Sequence, residues 1–385
     1  MNYTMVQTVK IIYGVGSLEK ITELLLEIKY KKPFIVYDNG VKTAGIADKL
    51  LRFLDEKDIE YVCFDKVMPD PPASIIDEGA SKCRKEKCDT VIGIGGGSSI
   101  DTAKGINILR FNEGSILDFV DPNVKMNPSK GFIAIPTTAG TGSEVSDGII
   151  VTDEVARKKC PILCAEGIAE YAIIDPELTI GIPPHLTAST GIDVLAHSVE
   201  AYTSNLANLF TDQITSKNIE TVVKWLPLAY ENGKNIEARS AMSVAATIGG
   251  WMLVNAHAHI GHAIAHSIGG KFNIPHGYAC AYALPYAMEF VSSEAPEKCK
   301  YVAELLGAKF TGDEAPAEIG MILRDKLIEF NNLLGIKKAK EFKYDKDMFP
   351  EVTEDIVNEV HQNFSVRKMT VKDAMNVINK IFDLI

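Results

Sequence analysis

No stretch of this 385-residue chain is apolar enough, for long enough, to cross a bilayer. The most apolar run, 241–254, is too short and is interrupted by Ser243, Thr247, Gly249 and Gly250, so it reads as a buried helix. The N-terminus has no basic segment followed by an apolar core; no secretory signal is expected, and the expected compartment is the cytoplasm. Positive charge is scarce too. Forty Lys and Arg stand against 51 Asp and Glu, a net charge of −11, which argues against nucleic acid and anionic membranes as partners. The seven cysteines are an odd number with no CxxC, which excludes a disulfide framework and predicts free thiols in a reducing compartment. Histidine is rare as well, at eight residues, yet five crowd into 257–276.

What is present is an ordinary globular composition, 46% apolar and 24% charged, on a chain long enough for two domains. The first half alternates short β-rich runs (6–13, 33–37, 59–64, 90–94, 132–136, 149–153, 171–174) with helical periodicity (18–28, to about 54, 73–85, 98–109). Such alternation predicts an α/β domain with a mostly parallel sheet covered on both faces. After Pro183 and Pro184 strand-like runs stop and helical spacing dominates. The expected domains are therefore 1–183, α/β and dinucleotide-binding, and 184–385, all-helical and metal-binding.

The histidine-rich stretch GHAIAHSIGGKFNIPHG (261–277) places His262 and His266 four apart, hence on one helical face. His276 follows in a Pro-His-Gly segment expected to turn an imidazole back toward that face. Upstream, GIDVLAHSVEAY offers Asp193 and His197, again four apart. One carboxylate and several imidazoles form a donor set for a divalent transition metal.

Two glycine-bearing segments follow predicted strands. In GGGSSIDTAK, Gly95, Gly96 and Gly97 allow close backbone approach to a ligand, and the helix start behind them suits a phosphate. Ser98 is the expected N-cap, with Asp101 completing a capping box. In PTTAGTGSEV, hydroxyls and glycines suit a polar ligand. Asp38, at the end of PFIVY, is placed to accept from a ribose diol and to repel a 2′-phosphate, favouring NAD over NADP.

Together GGGSSIDTAK, PTTAGTGSEV, DPELTIGIPP, GIDVLAHSVEAY and GHAIAHSIGGKFNIPHG, in that order, resemble the iron-containing (group III) alcohol dehydrogenases. The resemblance implies a Rossmann-like N-terminal domain, an all-α C-terminal domain in a dehydroquinate synthase-like architecture, and an active site in the cleft between them. It implies Fe²⁺ held by Asp193, His197, His262 and His276, with His266 a non-ligand histidine near the nicotinamide. It puts Gly95, Gly96, Gly97 and Ser98 on the pyrophosphate loop and Thr137, Thr138 and Thr141 on a second cofactor segment. Lys159 falls near the ribose, Leu178 on the adenine side, and Asp70 at a cofactor-contacting position. A homo-oligomer, a dimer or larger, is familiar in the family.

Two departures stand out. His259, three before His262, either reaches the substrate or is hydrogen-bonded in the interdomain wall. Gly148 replaces a polar residue of some members, so one cofactor contact is missing. The implied reaction is reversible hydride transfer between a small primary alcohol or diol and NAD, with the metal as Lewis acid and His266 relaying a proton. The ligand types suit Zn²⁺ as well as Fe²⁺, and only the resemblance selects iron. A zinc-dependent glycerol dehydrogenase-like enzyme and a dehydroquinate synthase-like lyase are the alternatives. The lyase would need grouped cations near the metal, whereas 185–280 holds only Lys217, Lys224, Lys234, Arg239 and Lys271, none grouped.

Overall fold

A computed structural model describes residues 3–156 and 158–383. The chain divides into two compact units, Val6–Gly181 and one that begins at Ile182 and includes Met5. Met5 belongs with the second because it packs against Ala201, Met252 and Ala256.

The first unit runs β1 (Lys10–Tyr13), α1 (Ile21–Ile28), β2 (Pro33–Asp38), α2 (Asn39–Thr43), α3 (Ile46–Asp55), β3 (Val62–Val67), α4 (Ala73–Lys85), β4 (Thr90–Gly95), α5 (Gly97–Leu109), β5 (Phe132–Pro136), β6 (Gly148–Asp153), β7 (Lys158–Leu163) and β8 (Tyr171–Ile174). Six strands form a parallel sheet in the order β1-β8-β5-β4-β2-β3. The central strands β4 and β5 are buried along their whole length, which is why they read as unbroken apolar runs rather than alternating ones.

Sheet order decides where a ligand can sit. From β2 the chain moves outward to β3, then returns to the other side of β2 for β4. The carboxyl ends of β2 and β4 thus flank a topological switch point, the place where open α/β sheets bind ligands. Asp38 ends β2 and Gly95 ends β4, with Gly95 in register with Pro136 of β5.

One expectation fails here. The run 149–153 is a strand, but it pairs antiparallel with β7 in a separate two-stranded sheet. Its burial alternates, with Ile149 and Val151 inside and Ile150 half-buried. A strand buried on one face only suits a hairpin, not a sheet covered on both sides.

The second unit is helical: α6 (Pro184–Thr203), α7 (Leu209–Glu231), α8 (Ile236–Asn255), α9 (Ile260–Phe272), α10 (His276–Val291), α11 (Pro296–Leu305), α12 (Pro316–Leu333), α13 (Phe349–Asn358) and α14 (Val371–Ile381). Helix α10 packs against α6, α9 and α12, and α6 against α7 and α8. The middle of α6, Gly191–Ala201, is buried throughout, so its polar residues need partners inside the protein. Among the described residues no helix is long and apolar enough to cross a membrane, and all seven cysteines are free.

Candidate functional site

Three helices bring the acid–imidazole set together. Helix α6 turns Asp193 and His197 to one side, α9 supplies His262, and His276 is the first residue of α10. The expected Pro-His-Gly turn is displaced by a few residues. The chain reverses through Asn273, in the left-handed region at φ 53°, and Pro275 leads directly into α10. Asp193 Oδ1 lies 3.5 Å from His197 Nε2, 3.7 Å from His262 Nε2 and 3.3 Å from His276 Nε2. Ligands at 2.0–2.1 Å from a tetrahedral ion stand about 3.4 Å apart. The three distances fit that edge. Asp193 Oδ1 is also buried without a hydrogen-bond partner, a costly state for a carboxylate unless a cation completes it. The donor set therefore fits a divalent metal ion.

The electrostatics agree. Burial alone would raise the Asp193 carboxyl, but the His197 and His276 rings hold it well below the usual carboxylate range. Burial pushes His197 down to about 4. It would lower His262 and His276 as well. Instead, Glu200 carries His262 well above its ordinary value, and Cys280 and Asp193 carry His276 up to about 10. The cluster draws positive charge into a buried space.

Glu200, on the same face of α6, was not singled out by the sequence, although it lies inside GIDVLAHSVEAY. Its Oε1 accepts from His262 Nδ1 at 2.7 Å, which turns His262 Nε2 toward Asp193. Its Oε2 accepts from the backbone N–H groups of His259 at 2.8 Å and His262 at 3.2 Å, where α9 begins. Burial opposes its ionisation, yet the His262 charge and hydrogen bond bring it down to about 2. A Cβ on Gly261 would come within 2.5 Å of Glu200 Oε1, so only glycine lets α9 approach this closely.

His259 is hydrogen-bonded inside the helical unit. It is fully buried, its Nδ1 accepts from Ile260 N–H at 2.8 Å, and its Nε2 meets Thr203 Oγ1 at 2.9 Å. The ring caps α9. His257 stacks on Phe364, with ring centroids 4.0 Å apart.

His266 sits beside the quartet, its ring centroid 5.4 Å from His276 and 5.8 Å from His262. Its Nδ1 is 3.1 Å from Glu359 Oε1, and Glu359 also takes His361 Nδ1 at 2.9 Å. Burial pushes His266 down to about 3 against the pull of Glu359. Burial would raise Glu359, but its hydrogen bonds to His266 and His361 hold it well below the usual carboxylate range. Glu359 and His361 carried no sequence signal, being some ninety residues from His266 in a non-repeating segment. Cys280, one turn after His276 and expected as a free thiol, lies 3.5 Å from His276 Nε2 and 4.0 Å from His262 Nε2.

Asp38, Gly95, Gly96, Gly97, Thr137, Thr138 and Thr141 lie close together around the carboxyl ends of β2, β4 and β5, whereas Asp70, Lys159 and Leu178 lie elsewhere in the first unit. Gly96, not Ser98, precedes helix α5, and no side chain caps it. Asp101 instead accepts from Ser143 Oγ at 2.6 Å and from Ile150 N–H at 3.0 Å, tying α5 to the hairpin. The capping box is therefore absent, and the first turn of α5 stays open toward an anion. Thr137 N–H donates to Gly95 O at 2.9 Å. A Cβ on Gly97 would lie 2.8 Å from Thr141 Cγ2, and one on Gly96 3.4 Å from the Thr138 side chain, so the two cofactor segments are in contact. Asp38 accepts from Val41 N–H at 2.9 Å and from Ser99 Oγ at 2.8 Å. Lys159 pairs with Asp70 at 2.7 Å. Leu178 is buried and, with Ala44, Gly45, Ile46, Lys49 and Glu177, helps line a cavity of about 370 Å³.

Residues 8–176 match the family model described as iron-containing alcohol dehydrogenase, and residues 187–382 match the Fe-containing alcohol dehydrogenase family, C-terminal. The chain is 37% identical over 313 residues to a choline dehydrogenase of Bacillus subtilis, covering 79% of this chain and 77% of that one. Its structure superposes on that of a 1,3-propanediol oxidoreductase with a TM-score of 0.94 and 30% identity, covering 99% of this chain and all of the other. A sulfoacetaldehyde reductase from Bifidobacterium kashiwanohense in complex with NAD⁺ matches with a TM-score of 0.88 and 26% identity, covering 99% of both.

Proposed function

Since the chain belongs to the iron-containing alcohol dehydrogenase family and is an oxidoreductase acting on CH–OH groups, we propose that it interconverts a small primary alcohol or diol and its aldehyde with NAD, at a metal held by Asp193, His197, His262 and His276. We assign dinucleotide binding to the Val6–Gly181 unit and metal binding to the helical unit. One observation carries the metal assignment: a buried, unpartnered Asp193 oxygen ringed by three imidazole nitrogens at 3.3–3.7 Å. The bound ion would supply a Lewis acid for the substrate oxygen, and the nicotinamide a hydride acceptor.

The chain's own residues do the rest. Glu200 fixes the His262 tautomer. Ionised Glu359 accepts from His266 Nδ1–H, leaving His266 Nε2 with a lone pair able to take a hydroxyl proton. As that proton arrives, Glu359 stabilises the imidazolium. Gly95, Gly96, Gly97 and Ser98, with Thr137, Thr138 and Thr141, are the proposed pyrophosphate contacts, because they surround the open start of α5 at the switch point. The Asp38 carboxylate, at the end of β2, favours a free ribose diol over a 2′-phosphate. Asp70, Lys159 and Leu178 are proposed for the ribose and adenine side.

Imidazole and carboxylate donors accept zinc as readily as iron, and the family supports iron as the native ion. The proposed setting is the cytoplasm, which suits seven free thiols, and the proposed assembly a homo-oligomer. The test is NADH absorbance with a panel of primary alcohols and diols, on protein purified without oxygen, stripped with chelator and reloaded. Activity should vanish on stripping and return with Fe²⁺. Activity unaffected by complete metal removal would refute the assignment.

A further inference from the structure

We propose that Cys280 is a sulfur ligand of this same metal centre, so that the site is a carboxylate–imidazole–thiolate one; this rests on the metal assignment made above. Cys280 follows His276 by one turn of α10, so the two side chains leave the helix on one face. The thiol is buried, and its Sγ lies 3.5 Å from His276 Nε2 and 4.0 Å from His262 Nε2. Those are the nitrogens that approach Asp193 Oδ1 at 3.3 Å and 3.7 Å. Asp193, His262, His276 and Cys280 each offer one donor atom, and the four atoms lie within 4.8 Å of one another. The unpartnered Asp193 Oδ1 supplies a separate sign of a missing cation in the same space.

The distances suit a common ion. With Cys280 as a fifth donor, sulfur at about 2.3 Å and nitrogen at about 2.1 Å from a metal, at angles of about 90–120°, stand about 3.1–3.8 Å apart. The Cys280–His276 distance of 3.5 Å lies inside that range and the Cys280–His262 distance of 4.0 Å just above it. Binding would release the thiol proton to solvent and change no oxidation state. A thiolate is the softest donor in the set, so Cys280 moves the site's preference toward zinc and away from harder ions.

Cobalt reads this without reference to turnover. Full-length protein, stripped of metal, is loaded with Co²⁺, and the near-ultraviolet region is scanned for a thiolate-to-cobalt charge-transfer band, alongside C280S and C280A. The wild type should bind one Co²⁺ per chain and show the band. The variants should bind one Co²⁺ without it. X-ray absorption of the zinc-loaded wild type should add one sulfur at about 2.3 Å. Stoichiometric cobalt with no band in the wild type, or a band that survives in C280A, overturns the sulfur ligand and leaves the metal assignment standing. No cobalt bound to the wild type overturns both. Should neither variant fold, a wild type that holds one Co²⁺ and shows no band still overturns the sulfur ligand.

Discussion

Replacing Glu200 by Gln should cost the protein most of its grip on metal while leaving every first-contact ligand in place. Both carboxylate oxygens are committed as acceptors, Oε1 to the His262 ring and Oε2 to two backbone N–H groups. Glutamine keeps one acceptor and puts an NH₂ where the other stood. Whichever way the amide turns, a donor faces a donor. If the NH₂ faces the ring, His262 must move its proton to Nε2, the atom needed for the ion. If it faces the backbone, the start of α9 loses its acceptor. Losing the carboxylate partner of a ligating histidine costs about 10- to 100-fold in metal affinity, or roughly 1.4–2.7 kcal/mol. The assay is a chelator competition titration of Zn²⁺ and Co²⁺ on wild type and E200Q. A weakening inside that range supports the role drawn for Glu200. An E200Q protein that is well folded and binds as tightly as wild type would refute it.

Other consequences are checkable. His259 has its pKa pushed down to about 4 by burial, so the native state refuses a proton that the unfolded chain accepts below its ordinary 6.5. Above pH 6.5 neither state holds it. As pH falls from 6.5 toward 4 the wild type should lose about 3 kcal/mol that a His259→Asn variant, which can still cap α9, does not lose; equal slopes in urea unfolding at each pH would contradict this. His266→Ala should keep one metal per chain but slow turnover by about 10²- to 10⁴-fold, the range for general acid–base groups; loss of metal in inductively coupled plasma analysis would make His266 a ligand instead. Asp38→Gly should raise the NADP/NAD ratio of kcat/KM, and an unchanged ratio would remove Asp38 from the ribose site.

Legibility followed the physics of spacing. Asp193/His197 and His262/His266 were readable because four residues is one helical turn, and the parallel sheet because β4 and β5 are buried on both faces. What failed depended on partners remote in sequence. Ser98 and Asp101 have capping-box spacing, but Asp101 is drawn to Ser143 and Ile150. His259 shares the helical spacing of the ligands, yet it stops at the helix start, where its ring serves as the cap. Glu200 sits one turn beyond His197 and would pass for a solvated acid. Only the approach of α9 across Gly261 gives it work. Glu359 and His361 come from a short turn after α13 with no periodicity to betray them.

The most direct test counts metal in the Asp193→Ala protein. Oxygen-free purification and elemental analysis should give one divalent ion per chain for wild type, and essentially none for the variant, with a circular dichroism spectrum that keeps its helical signal. A folded Asp193→Ala protein that still carries one ion per chain would contradict the account at its centre.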